Sequence, residues 1–160
     1  MPLPDAARAP GSRPVVGVGA VVVHEGRVLL IRRGQEPLRG RWLVPGGTVE
    51  WGETLADALV REVQEETGLT VRPREVVAVL DRIHQETGEV LYHYVIVDYL
   101  CEWVSGTLRA GSDAEDAVLV PVAELPAYDV PDQALEVIVE GLRRSGIGGR
   151  ISSNTSHSEG

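Results

Sequence analysis

Apolar residues recur along this chain with two different periods, and the switch between them marks out its elements. Valines and leucines first run in two blocks, 18–23 and 28–32, separated by His24-Glu25-Gly26-Arg27. Short β-branched blocks on either side of a glycine-bearing turn predict paired strands. From residue 55 the period changes. Leu55, Leu59 and Val63 repeat at i, i+4 and i+8, the stripe that one face of a helix would bury. Thr54 is a suitable N-cap with Asp57 as the reciprocal partner of a capping box, and no proline or glycine interrupts 55–67. Gly68 then offers the left-handed position at which helices end. Strand signals return in the valine-rich stretch 75–81 and in 90–103, which alternates and then runs apolar, with Thr87-Gly88-Glu89 as the hairpin turn between them. Residues 106–111 read as a loop and 117–122 as a short strand; 131–144 reads as an amphipathic helix with proline in its first turn. Strands with a helix on either side predict an α/β fold, an α/β/α sandwich with a mixed β-sheet.

The first helix carries its charges in an unusual place. On a wheel of about 100° per residue, Glu62 projects within about 20° of Leu55 and Glu66 lies about 40° beyond Glu62. Glu65 sits on the other flank. A solvated helix face puts its acids opposite the apolar stripe, whereas these lie against it. Like charges at i, i+4 repel by a few tenths of a kcal/mol even in water, and more where water is scarce. A divalent metal is the simplest group that would hold them together. Oxygen-only ligation suits magnesium or manganese rather than zinc. Taken alone, Glu-x-x-Glu-Glu also fits an ordinary solvated acidic turn. Its neighbours change the balance: Gly46-Gly47 lets a backbone approach the helix, Glu53 adds a fourth acid, and Arg61 can hold a carboxylate bidentately.

Gly47, Glu53, Arg61, Glu62, Val63, Glu65, Glu66, Gly68 and Leu69 fill every specified position of the Nudix box, G-x5-E-x7-R-E-U-x-E-E-x-G-U with U aliphatic. The segment therefore resembles that family. Arg41-Trp42-Leu43-Val44-Pro45-Gly46-Gly47 before it and the hairpin upstream are similar too, so the likeness extends over residues 14–144. It implies a Nudix hydrolase domain at 14–145, between an N-terminal extension at 1–13 and a flexible Gly/Ser-rich tail at 146–160. It also implies Mg2+ (or Mn2+) held by Glu62, Glu65, Glu66 and the Gly47 carbonyl. Glu62 is a candidate general base, and Glu53 with Arg61 is a supporting ion pair. Relatives often add an acid from a later loop, and Asp113 occupies that place, with Glu115 and Asp116 as neighbours. Arg32 and Arg41 are candidate substrate-binding cations; solvated loop cations are the alternative.

Such a site implies hydrolysis of a pyrophosphate linkage in a small nucleotide substrate. The segment 93–125 resembles small bacterial members assigned to ADP-ribose. The proline of the better-defined ADP-ribose hydrolases is absent, with His84 and Gln85 standing there. The tyrosine of diadenosine polyphosphate members and the SQPWPFP segment of NADH-cleaving members are also missing. The order of expectation is therefore nucleoside diphosphate-linked compounds, ADP-ribose first, and then nucleoside triphosphates, oxidised ones included. A binding domain that has lost catalysis is a third reading, opposed by the complete set of glutamates. No EF-hand loop supports a calcium module.

Composition narrows the partners. At 160 residues, 43% hydrophobic and 24% charged, the chain fits one domain with a sizeable core, built without phenylalanine. A net charge of −9 argues against a nucleic-acid partner, whose backbone needs basic surface. Cys101 is the only cysteine, which points to a reducing compartment, the cytoplasm, and it reads as a buried strand thiol rather than a nucleophile. No apolar run is long enough for a membrane span, and residues 1–14 lack the apolar stretch of a signal peptide. His84, Tyr92, His93 and Tyr94 read as strand-face residues. A homodimer is an assembly the sequence permits.

Overall fold

The computed structural model describes residues 13–35, 38–111 and 114–146. The expectations for the N-terminal extension, for Asp113 and for the tail beyond Gly146 lie outside the described residues. The valine blocks form β1 (Val15–His24) and β2 (Arg27–Arg33), joined by the expected turn. Two short strands follow, β3 (Trp42–Leu43) and β4 (Gly46–Thr48), then helix α1 (Leu55–Thr67). Strands β5 (Leu69–Glu86) and β6 (Glu89–Gly106) make a long hairpin, and β7 (Ala114–Pro121) and α2 (Asp132–Arg144) complete the order.

The sheet runs β3-β2-β1-β6-β5, with β4 on β1 and β7 on β2. The β1–β6 pair is parallel and the others are antiparallel, so the sheet is mixed as expected. Because side chains alternate along β1, it feeds both layers. Val18, Ala20 and Val22 pack with Leu59 and Val63 of α1, while Val21 packs with Val137 of α2. A further cluster joins Ile138 and Leu142 of α2 to Val28, Leu30 and Val120. The result is the α/β/α sandwich.

Two elements differ from the sequence reading. The strand read as 75–81 is part of a single 18-residue strand. Register shifts between Thr70/Val71, Pro73/Glu75, Val76/Ala78 and His84/Gln85 absorb Pro73 and break the alternation that would have marked its length. Between β7 and α2, residues Val122–Ala127 form a short 3-10 helix that no periodicity announced. The hairpin turn is as read: Thr87 and Gly88 both take positive φ, 49° and 80°, as a two-residue connection of twisted strands requires. Among the described residues no helix is long and apolar enough to cross a membrane.

Candidate active site

Helix α1 starts and stops where its caps dictate. Thr54 Oγ1 accepts the Asp57 amide at 3.1 Å, and Gly68 closes the helix with φ 74°. Its buried stripe orients the next face toward β4, which pairs with β1 through Val18↔Gly47 and Gly19↔Gly46. The approach of backbone to backbone requires glycine at Gly46, while at Gly47 the absent side chain leaves room for the Glu62 carboxylate. A β-carbon on Gly47 would overlap the Glu62 carboxylate, and one on Gly46 would overlap the Val18 carbonyl oxygen. The Gly46 amide donates to Glu66 Oε1 at 3.1 Å. Glu66 is buried, 7% exposed, so this charged group is held largely out of water.

Arg61 organises the remaining acids. Its Nε and Nη2 donate to the two oxygens of Glu53 at 2.7 and 2.8 Å, a bidentate pair. Nη1 donates to Glu62 at 2.9 Å and to Glu65 at 3.3 Å, and Nη2 also donates to the Thr48 carbonyl at 3.1 Å. One guanidinium thus ties α1 to β4. The Arg61 bonds first, and the Glu50 amide second, hold the Glu53 carboxyl down at about 2. The same partners, Glu53 foremost, raise the pKa of Arg61 further. Among the described residues, no three acidic, histidine or cysteine side chains already enclose a site for an ion. Glu62 and Glu65 turn to the Arg61 fork instead. The donor chemistry nevertheless fits a hard divalent cation: Glu62 and Glu66 lie against Gly47 and Gly46, with Glu65 one turn from Arg61 and the Gly47 carbonyl as further oxygen donors.

The later loop is pinned behind this cluster. The Arg109 amide donates to the Thr67 carbonyl at 2.9 Å and the Gly111 amide to the Glu66 carbonyl at 2.8 Å. The chain at Gly111 therefore lies beside the Glu66 backbone. Of the neighbouring acids, Glu115 is paired with Arg32 at 2.8 Å, and Asp116 accepts the Ala117 amide at 2.8 Å. Arg41 is salt-bridged to Asp129 at 3.0 Å. Arg32 and Arg41 would have to exchange these carboxylates to hold a phosphate. His84 stacks on Tyr92, and Tyr94 is buried in the sheet. Cys101 is also buried, and burial pushes its thiol up to about 12, in keeping with a strand thiol held in its neutral form.

Beside Gly46, Gly47 and Glu66 opens a pocket whose polar lining is Arg33, Arg82 and Asp98. Sequence reasoning noted Arg33 only as one of a cluster of loop arginines, with Arg32, Arg39 and Arg41, and passed over Arg82 and Asp98. The signal was present at Asp98, an acid in register with Tyr94 and Ile96 on a strand face that is otherwise apolar. Another signal was Gly19, one of two glycines in the valine-rich β1, where a glycine marks a close approach.

A NUDIX domain family model matches residues 13–139, well over half the chain. The chain belongs to the Nudix hydrolase family. It is 33% identical over 118 residues to an ADP-ribose pyrophosphatase of Methanocaldococcus jannaschii, covering 72% of this chain and 68% of the relative. Over a shorter stretch of 58 residues it is 57% identical to the low-salt glycan biosynthesis protein Agl8 of Haloferax volcanii, covering 36% of this chain and 37% of that protein. Among solved structures, the MutT NUDIX hydrolase of Burkholderia pseudomallei superposes with a TM-score of 0.70 at 32% identity, over 80% of this chain and 98% of that one.

Proposed function

We propose that this protein hydrolyses the pyrophosphate linkage of nucleoside diphosphate-linked compounds, ADP-ribose foremost, with a divalent metal, Mg2+ or Mn2+. The observation that carries the reading is the packing of Glu62 and Glu66 against Gly46-Gly47, with Arg61 binding Glu53, Glu62 and Glu65. The likeness to the archaeal ADP-ribose pyrophosphatase supports the choice of substrate.

Glu62, Glu65, Glu66 and the Gly47 carbonyl would hold the metal. When bound, such a cation supplies neutralisation of the diphosphate charge and polarisation of the P–O bonds. Water adds to one phosphorus, one bridging P–O bond breaks, and ADP-ribose becomes AMP and ribose 5-phosphate. The attacking water must lose a proton, and Glu62 is the acceptor we assign, with Asp113 the alternative from the loop. Glu53 has a different task. Its bidentate pair fixes the Arg61 plane, which in turn fixes Glu62, so it positions rather than reacts.

The test is a substrate panel with Mg2+: ADP-ribose, NADH, diadenosine polyphosphates and dNTPs, with products identified by chromatography. AMP with ribose 5-phosphate is the expected result. Release of pyrophosphate from dNTPs with ADP-ribose left intact would replace this reading by triphosphate hydrolysis. Absence of turnover on every compound would leave a binding domain. Glu66→Gln keeps the shape but removes an anionic ligand, so turnover should fall at least about 100-fold with the thermal midpoint nearly unchanged.

A further inference from the structure

Asp98 is buried to 4% exposure at a position where a chain normally places an apolar residue. On β6 it sits opposite Gly19 of β1 in the parallel pairing, and a β-carbon on Gly19 would overlap its Oδ1. The missing side chain on β1 thus makes room for this carboxyl. Arg82 acts on it as a nearby charge that only partly offsets the cost of its burial. Burial strips a carboxyl of most of its hydration, so one kept at this depth on the wall of a pocket is placed to meet a donor brought in from outside. The pocket supplies the route. Its walls include Val44, Leu80 and Ile96, and it opens beside Gly46-Gly47 and Glu66.

The lining also says which part of a substrate fits. No aromatic ring stands among the described residues around this pocket, so it has no stacking surface for a base. It has instead the Asp98 carboxyl, which can accept two hydrogen bonds, and the guanidinium groups of Arg33 and Arg82, of which Arg82 acts on Asp98 as a nearby charge. Vicinal hydroxyls of a sugar present that complement: each O–H donates to a carboxyl oxygen, and the hydroxyl oxygens accept from Arg82.

We propose that Asp98, with Arg82 beside it, binds the vicinal diol of a ribosyl group of the substrate and is a specificity-determining residue of this enzyme. The proposal rests on the reading of the protein as a hydrolase of nucleoside diphosphate-linked compounds. ADP-ribose carries two such diols, one on the terminal ribose and one on the adenosine, and the shared chemistry is the same.

Three substrates separate the sources: ADP-ribose, the P2-pentyl ester of ADP, which lacks the terminal diol, and ADP-ribose built on 2′,3′-dideoxyadenosine. Asp98→Asn should lower kcat/KM for ADP-ribose about 10- to 100-fold, mainly through KM, because a charged acceptor for two donors is lost. One of the two analogues should be cleaved within about twofold by wild type and variant alike, and that analogue identifies the sugar held. An equal loss on all three substrates, or no loss on any, overturns the proposal while leaving the hydrolase reading in place. Should wild type cleave none of the three, the hydrolase reading fails and binding decides separately. Ribose 5-phosphate titrated without metal into labelled protein should then give saturable NMR shifts with wild type and none with Asp98→Asn. Identical titrations of the two proteins would overturn the diol site.

Discussion

Two acids near this site respond to pH in opposite directions. Glu53, held at about 2 by Arg61 and by the Glu50 amide, stabilises the fold above its ordinary value of 4.5, and that contribution is lost as pH falls toward 2. Asp98 is raised from 3.8 to about 6 because burial opposes its charge, with Arg82 only partly offsetting this. The folded state therefore favours the protonated form. Its relative contribution is full below about pH 4 and is lost as pH rises through about 6. Asp98→Asn removes the ionisation and nearly keeps the volume. Two pKa units set a ceiling of about 3 kcal/mol on the gain near pH 8. Each kcal/mol moves the midpoint by about 2–4 °C in a protein of this size. Thermal melts should therefore show the variant several degrees more stable at pH 8 and nearly equal to wild type at pH 4. A variant less stable at pH 8 would mean that Asp98 supports the fold rather than a ligand. Arg61 also shows why residue identity matters here. Lysine could not replace its fork, which reaches Glu53 with two nitrogens and Glu62, Glu65 and Thr48 with the remaining geometry.

At the scale of elements, α1 was legible because every signal along it agrees: cap, stripe, uninterrupted interior and glycine stop. Its N-cap carries a prediction. Thr54→Ala removes the acceptor of the Asp57 amide and should cost about 1 kcal/mol in urea unfolding, with an unchanged m-value. A modest fall in turnover should accompany it, since fraying would begin beside Glu53. An unshifted urea midpoint would show that the cap contributes nothing. Strand β5 was legible only in part, because its four register shifts remove the strict alternation that reveals a strand in sequence. The half of the site that carries the carboxylate cluster sits in one contiguous stretch, 46–66, and so could be read as a motif. The pocket could not. It depends on the parallel pairing of β1 with β6, which brings Gly19 under Asp98, and on β5 supplying Arg82 from a third strand. Local pattern carries no record of such pairings. The choice of Arg32 over Arg33 illustrates the same limit, since neighbours on a strand face opposite ways: Arg32 is exposed and bound to Glu115, while Arg33 is buried and lines the pocket.

Taken as a whole, the molecule presents a polyanionic substrate with an unfavourable approach. The chain has a net charge of −9 at pH 7. Much of its positive charge is spent internally, as in the pairs of Arg32, Arg41, Arg61, Arg74 and Arg144 with acids. Long-range repulsion and short-range attraction therefore act in opposite senses, and ionic strength separates them. The Debye length shrinks from about 30 Å at 0.01 M to about 8 Å at 0.15 M, which screens the distant surface acids but leaves contacts inside the pocket largely intact. Raising NaCl across that range, at fixed saturating Mg2+, should increase kcat/KM for ADP-ribose by about 2- to 5-fold through more frequent encounter. The value of kcat should hold steady, because a substrate bound as proposed would meet Glu62, Glu66 and the pocket groups at distances shorter than any screening length. A neutral viscosity control keeps diffusion itself constant between conditions. If kcat/KM instead falls steeply with salt, the local field of Arg33, Arg82 and the bound cation steers the substrate from a distance, and net charge has no part in the encounter.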